Sequence, residues 1–464
     1  MREIETDYLV VGAGASGMAF VDALVDASAD AEVVMVDRRH GPGGHWLDAY
    51  PFVRLHQPSA NYGVNSRRLG HDRIDETGLN AGFYERATSA EICDYFARVL
   101  YEDLLPSGRV QFLGLTDYLG SEGNAHRLRS LLTGEDVVVS ARRRFVDATY
   151  IESSIPSRHT PSFTIDPAAR FVPPNDLVQL AEPASGFTII GAGKTALDTC
   201  NWLLDEGVDP DSIQWFRPRD PWLFDRASFQ PLEKVGSYMH LQASWVRAAA
   251  LAEDGADFTH RLEDDGILVR ISPEIEPAAF RGATISTTEM EAVRTVERVV
   301  RGPRVQHIDP AVVRTDQGDI ASGPNQVYVD CTAAGVRPTV ACPIFTPERI
   351  TVQYVTLGIA PWSAATIGRV EARADDDHAK NNLCPPLQFT GHAADLPEMA
   401  RAGMSGLVAR GADPEMGAWA EASRLNPARG AADHLDDPRV GEAFATMGQH
   451  IGDALANLER LAGV

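Results

Sequence analysis

An α/β fold with two separate β-α-β units and a mostly helical C-terminal segment is what the sequence predicts, on three observations. A short apolar run at residues 8–11 ends in Gly12-Ala13-Gly14-Ala15-Ser16-Gly17. A second run at 187–190 ends in Gly191-Ala192-Gly193-Lys194-Thr195-Ala196. From about residue 393 the chain becomes alanine-rich with helical spacing. Two glycine turns so far apart, each between a strand and a helix, mark two domains and not a chance motif in one.

Each element follows in order. Residues 8–11 are β-branched and apolar, 15–25 show helical spacing, and 32–36 form a second strand. A glycine- and arginine-rich loop region spans 38–80. A helix follows around 91–101, then strands at 110–112, 137–139 and 145–146. The proline-rich polar stretch 155–174 reads as a linker. The second unit repeats the pattern with a strand at 187–190, a helix at 194–205 and a strand at 213–216. Ser286 with Glu289 fits a capping box for a helix running to about 301. A strand at 327–329 and a charged loop at 371–382 precede the helical remainder.

Composition bounds the function. The chain has 464 residues, which suits two or three domains of roughly 100–200 residues. A hydrophobic share of 44% and a charged share of 23% fit a globular protein. With 65 acidic against 42 basic residues the net charge is −23, which repels nucleic acid and anionic lipid. Any anionic cofactor is therefore held by local donors. Cys93, Cys200, Cys331, Cys342 and Cys384 form no CxxC pair, so neither zinc nor a disulfide framework is expected; reduced thiols imply a cytoplasmic protein. The apolar stretch 8–25 is no signal peptide or membrane span, because three glycines interrupt it and Asp22 charges it.

The glycine motifs carry the chemistry. In the first, Gly12 allows the tight turn, Gly14 lets a pyrophosphate approach the backbone, and Gly17 lets the helix pack on the strand. Exposed N–H groups at Ala15, Ser16 and Gly17 and the positive helix end then bind the anion. Asp37 ends the next strand, where a carboxylate accepts from a ribose diol and disfavours a 2′-phosphate. FAD or NAD fits that pocket better than NADP. In the second motif, Gly191, Gly193, Lys194 and Thr195 make the corresponding turn. A P-loop is excluded, because the glycine it requires falls on Thr188. No acid follows the second strand; Arg217 and Arg219 do, and guanidinium groups there clamp a 2′-phosphate, favouring NADPH. As plain surface charges the two arginines have no such role.

The segment Asp37-Arg38-Arg39-His40-Gly41-Pro42-Gly43-Gly44-His45-Trp46 resembles the loop after the acid in flavin-containing and Baeyer–Villiger-type monooxygenases. There a Gly-Gly-x-Trp loop folds over the flavin. The resemblance implies FAD as the first cofactor, with Arg38, Gly44, His45, Trp46 and Val110 added to its site. It implies two Rossmann-like dinucleotide-binding domains: a discontinuous FAD domain over 1–185 and 321–464, the latter with the helical region, and an inserted NADPH domain over 186–320. The strand and small-residue turn at 328–335 loosely resemble the return to the FAD domain, though they lack its usual Ala-Thr-Gly. The family's long Phe-x-Gly-x-x-x-His signature is absent; residues 169–176 fill its slot.

The resemblance further implies the reaction. NADPH passes hydride to flavin N5, oxygen adds at C4a, and the hydroperoxide oxygenates a nitrogen, sulfur or carbonyl centre of a small molecule. Residues 55–62 lie where the related enzymes place polar groups beside the isoalloxazine. Gln57 and Asn61 are candidates for bonding the flavin, and His56 for donating a proton near neutral pH. Local loop hydrogen bonds account for each of the three equally well. Arg54, Arg67 and Arg68 either bind anions or are solvated. Two alternatives stay open: a flavin reductase or dehydrogenase without oxygen transfer, and a non-catalytic nucleotide-binding protein. No metal site is expected, and self-association is left open.

Overall fold

The computed structural model describes residues 2–463. The chain opens with β1 (Arg2–Val11), α1 (Ala15–Ala27) and β2 (Val33–Val36). Tyr8, Leu9 and Val10 are buried on both faces of the sheet, as a central parallel strand requires. A Thr88–Glu91 capping box starts α2 (Ser89–Arg98). After β3 (Val110–Leu113), an antiparallel meander of β4 (Thr116–Glu122) and β5 (Ala125–Ser130) leads into β6 (Asp136–Asp147). The sheet order is β3-β2-β1-β6-β5-β4, and β1 pairs in parallel with both β2 and β6. The chain therefore leaves β1 toward one side while β6 lies on the other. That reversal opens a crevice at the C-terminal end of β1.

The second sheet repeats the device. It is built from β7 (Arg170–Val172), β8 (Gly186–Ile190), followed by α3 (Lys194–Asp205), and β9 (Ile213–Phe216). Beside it lie β10 (Pro221–Asp225), α4 (Val235–Leu251), β11 (Ala279–Ile285) and α5 (Thr287–Arg294). Then come β12 (Val299–Val300) and β13 (Gln326–Asp330). The order β12-β9-β8-β13-β7 is parallel throughout, again with the switch beside the glycine-ended strand. The chain is thus an α/β protein with two Rossmann-like units.

The chain returns to the first sheet through β14 (Arg349–Thr351), which pairs with the last three residues of β6. Next comes α6 (Ala360–Glu371), lying against α1. Helices α7 (Leu396–Ala412), α8 (Pro414–Ala422) and α9 (Pro438–Ala462) complete the chain. Helix α9 runs along α4, and the Asn457 amide donates to the carbonyls of Ala249 and Ala252 at 2.8 and 2.9 Å, closing the end of α4. No helix among the described residues is long and apolar enough to cross a membrane.

Four sequence expectations are corrected here. The stretch 155–174 is no free linker: β7 pairs with β13, and residues 164–165 pair with 307–308. Its polar composition suits an edge strand, which keeps one side open to water. The strand at 327–329 belongs to the second sheet, so the first sheet is rejoined at β14 and not from 321. The helix from Ser286 stops at Arg294, because Val299 and Val300 are drawn into the parallel ladder beside Trp215 and Phe216. Within the expected charged loop, Asp376 caps a helix at Asp377–Leu383.

Contact between α1 and α6 depends on Gly368, where a Cβ would lie 2.5 Å from the carbonyl oxygen of Phe20. Gly368→Ala is expected to lower stability by about 1–3 kcal/mol despite alanine's better helix propensity, read as a fall in Tm.

Candidate functional site

The first glycine turn is shaped by backbone demands alone. Gly12 has φ +104°, and a Cβ on Gly17 would collide with the Gly12 carbonyl oxygen. Gly14 is the N-cap of α1, and no side chain caps that helix. Helices α2 and α5 have full capping boxes and α8 and α9 aspartate caps, whereas α1, like α4, α6 and α7, has no side-chain cap; behind a glycine turn, its start at Ala15, Ser16 and Gly17 leaves amides for an outside acceptor. The buried Asp37 accepts from the Ala13 and Arg39 amides, each at 2.8 Å. Gly44 approaches Gly14 so closely that a Cβ on Gly44 would lie 2.8 Å from the Gly14 Cα. The Gly43 amide donates to Ala13 at 2.9 Å. The glycine pair thus seats its loop directly on the first turn.

That loop sets Trp46 against Tyr62, with the indole N–H donating to the phenol oxygen at 2.7 Å. His45 packs on Trp46 with ring centroids 4.9 Å apart. Both rings face a cleft of about 660 Å³ that is lined on its far side by residues 191–195. The cleft joins the two units: Tyr50 and His56 come from the first, Gly191, Gly193, Lys194 and Thr195 from the second. Gly193 caps α3 without a side chain, and a Cβ there would meet nothing within 4 Å. The Lys194 ammonium turns back to Asp198, which also accepts from the Tyr50 hydroxyl at 2.7 Å.

Two expected cofactor contacts are corrected by position. Arg217 is almost fully buried, pairs with Asp220 at 2.8 Å, donates to Ser272 and lies over Trp215. It holds the sheet together and does not reach the cleft. Val110 sits opposite Val33 at the N-terminal end of β3, away from Asp37, which follows the opposite end of β2. Arg38 is exposed. Arg219 does line the cleft, beside Arg281 and Arg304, which sequence reading missed. Arg281 bonds the Ala334 carbonyl. Among the described residues none of these three guanidinium groups forms an ion pair. Neither had a sequence signal, since β11 and the 301–304 turn lie far from the glycine motif in the chain.

The 55–61 segment is held by a buried charge cluster. Glu289 accepts from Arg86 at 3.0 Å and from Arg226 at 2.5 Å, and all three side chains are at most 6% exposed. Arg86 also donates to the Leu55 carbonyl at 3.2 Å, and Arg226 to that of His56 at 3.2 Å. Burial raises the Glu289 carboxyl, but Lys194, Arg226 and Arg86 outweigh it and hold it well below the usual range. The Gln57 amide donates to the Gly358 carbonyl at 2.9 Å, tying the segment to the approach to α6. Asn61 is buried in a 3₁₀ turn and lines neither the cleft nor the C-terminal cavity described below. His56 is not the near-neutral acid expected from its residue type: burial, then the charges of Lys194, Arg226 and Arg86, push its pKa down to about 3. It therefore offers a neutral imidazole. Burial likewise brings His45 to about 4.

Comparison with known proteins adds three findings. Residues 10–67 match the family described as an NAD(P)-binding Rossmann-like domain. Uncharacterized protein Rv2000 of Mycobacterium tuberculosis is 41% identical over 463 residues, covering 98% of this chain and 85% of that one, and Uncharacterized protein Mb2023 of Mycobacterium bovis matches equally. Among solved structures, a flavin-containing monooxygenase from Stenotrophomonas maltophilia aligns with 79% of this chain and 98% of its own at 15% identity and a TM-score of 0.44. A cyclohexanone-bound cyclohexanone monooxygenase covers 100% and 98% at 12% identity and 0.47.

Glu289→Gln leaves two buried guanidinium groups facing each other, and should cost roughly 3–5 kcal/mol in a denaturant titration. The two histidines set an acid limit. Folded, they stay neutral down to about 4 and 3; unfolded, they take up protons near 6.5. The unfolded chain binds more protons in that window, so stability falls as pH drops below about 6.5. Replacing both with asparagine should flatten Tm between about pH 6.5 and 4.5.

Proposed function

The chain belongs to the family of these mycobacterial proteins, and from that premise we propose that it is an FAD-dependent, NADPH-consuming monooxygenase that oxygenates a small organic substrate at nitrogen, sulfur or a carbonyl. The observation that carries this reading is a pair of uncapped glycine turns with opposite chemistry around them. Asp37 stands at one, and three arginines whose guanidinium groups form no ion pair line the same cleft as the other.

Both turns fit the groups assigned to them. The α1 amides and Asp37 would hold the FAD pyrophosphate and ribose, since Asp37 accepts only two backbone N–H groups and keeps lone pairs free. The α3 amides would hold the NADPH pyrophosphate, with Arg219, Arg281 and Arg304 on the 2′-phosphate. When bound, FAD supplies hydride acceptance from NADPH and activation of molecular oxygen. The chain's own work is positioning. Trp46 and His45 wall the cleft that the second turn lines and limit water there. The Arg86–Glu289–Arg226 cluster fixes the backbone at 55–56, so His56 presents a neutral ring to the cleft, able to donate an N–H without carrying charge.

The protein is expected to purify yellow, to bleach with NADPH under anaerobic conditions, and on mixing with oxygen to add the mass of one oxygen atom to a substrate. Bleaching with release of peroxide only, across a broad amine, sulfide and ketone panel, rejects oxygen transfer. Asp37→Ala should purify with less flavin. Arg219→Ala combined with Arg304→Ala should raise KM for NADPH about tenfold or more and leave that for NADH unchanged. Equal effects on both nucleotides rule out the arginine assignment.

A further inference from the structure

A separate cavity of about 410 Å³ lies among the C-terminal helices, between α4, α7 and α8 and the 355–357 loop. Its size is that of a small-molecule site. Met239, Met399, Met404, Trp245 and Trp362 make much of its wall, an adaptable apolar lining. Leu407 and Phe444, also in the lining, are 46% and 43% exposed, so the apolar surface runs out to solvent.

One cation sits in this wall. Arg410, in the last turn of α7, is 8% exposed. Its Nη1 donates to the Leu383 carbonyl at 2.6 Å, and no carboxylate of the described residues stands within ion-pair distance. The one acid in the lining, Glu421, is exposed and accepts from the Gly430 amide. Every other deeply buried arginine discussed above has a carboxylate: Arg86 and Arg226 share Glu289, and Arg217 has Asp220. A guanidinium group buried against apolar walls with one neutral acceptor is costly, and an anionic ligand removes the cost.

We propose that this cavity binds an amphipathic monocarboxylate, its apolar body among the methionines and its carboxylate on Arg410. The 355–357 loop in its wall runs into Gly358, which Gln57 grips, so the cavity abuts the segment that carries His56. That the ligand is a substrate rests on the proposed function; that it binds does not.

The test is calorimetric titration of the purified protein with dodecanoate and, separately, with methyl dodecanoate. Dodecanoate should saturate a single site and bind at least about tenfold more tightly than the ester. Arg410→Gln should weaken the acid about tenfold and leave the ester unchanged, and Met404→Trp, which fills the cavity, should weaken both. Equal binding of acid and ester to the unmodified protein, or binding of neither, overturns the inference. So does an Arg410→Gln protein that keeps full preference for the acid. The acid-to-ester ratio needs no variant, so a poorly folding Arg410→Gln does not block the test. Flavin absorbance in the same sample separates the two claims. A colourless protein that prefers dodecanoate keeps this site and loses the monooxygenase; a yellow, NADPH-reducible protein indifferent to dodecanoate does the reverse.

Discussion

The carboxylate of Glu289 holds two arginines from distant parts of the chain, and the cleft depends on that junction. Arg86 comes from the first unit, Arg226 and Glu289 from the second. Each arginine spends another N–H on a carbonyl of the 55–56 backbone. A hydrophobic contact tolerates sliding, but three buried charges tolerate only geometries in which each stays paired. The segment carrying His56 is therefore clamped between the units, and burial, reinforced by the surrounding positive charge, keeps its imidazole neutral. Glu289 also closes the capping box of α5, so one side chain sets both a helix start and an interdomain joint.

Around this joint the molecule solves an electrostatic problem. A chain of net charge −23 repels anions at long range. Its attraction for them is confined to short distances: the helix starts that follow the two glycine turns, and arginines outside any ion pair. Most other cations on the molecule are already paired; Arg67, for example, is shared by Glu102 and Asp103. The same contrast separates Arg219 and Arg410 from Arg217, although all three are the same residue type.

What could be read from the chain follows from locality. The glycine turns were legible because φ, helix start and strand end are set within about twenty residues of one another. The helix at Lys194–Asp205 and the strand at Ile213–Phe216 fall where the pattern puts them. Arg217 and Arg219 were not separable, since both lie in the turn after the strand, two positions apart, and only the packing of that turn sends the first inward to Asp220 and leaves the second exposed at the cleft. Arg281 and Arg304 gave no sign at all.

By itself, then, the sequence determined two β-α-β units, their bare helix starts, the acid at Asp37 and a helical C-terminal region, because each rests on backbone conformations and periodicities of near neighbours. Only the tertiary structure decided which arginines remain unpaired, where the first sheet is rejoined, that His56 is neutral, and that Arg410 stands alone in an apolar wall. Those properties are set by burial and by charges brought together from positions scores of residues apart, and no local pattern encodes such a distance.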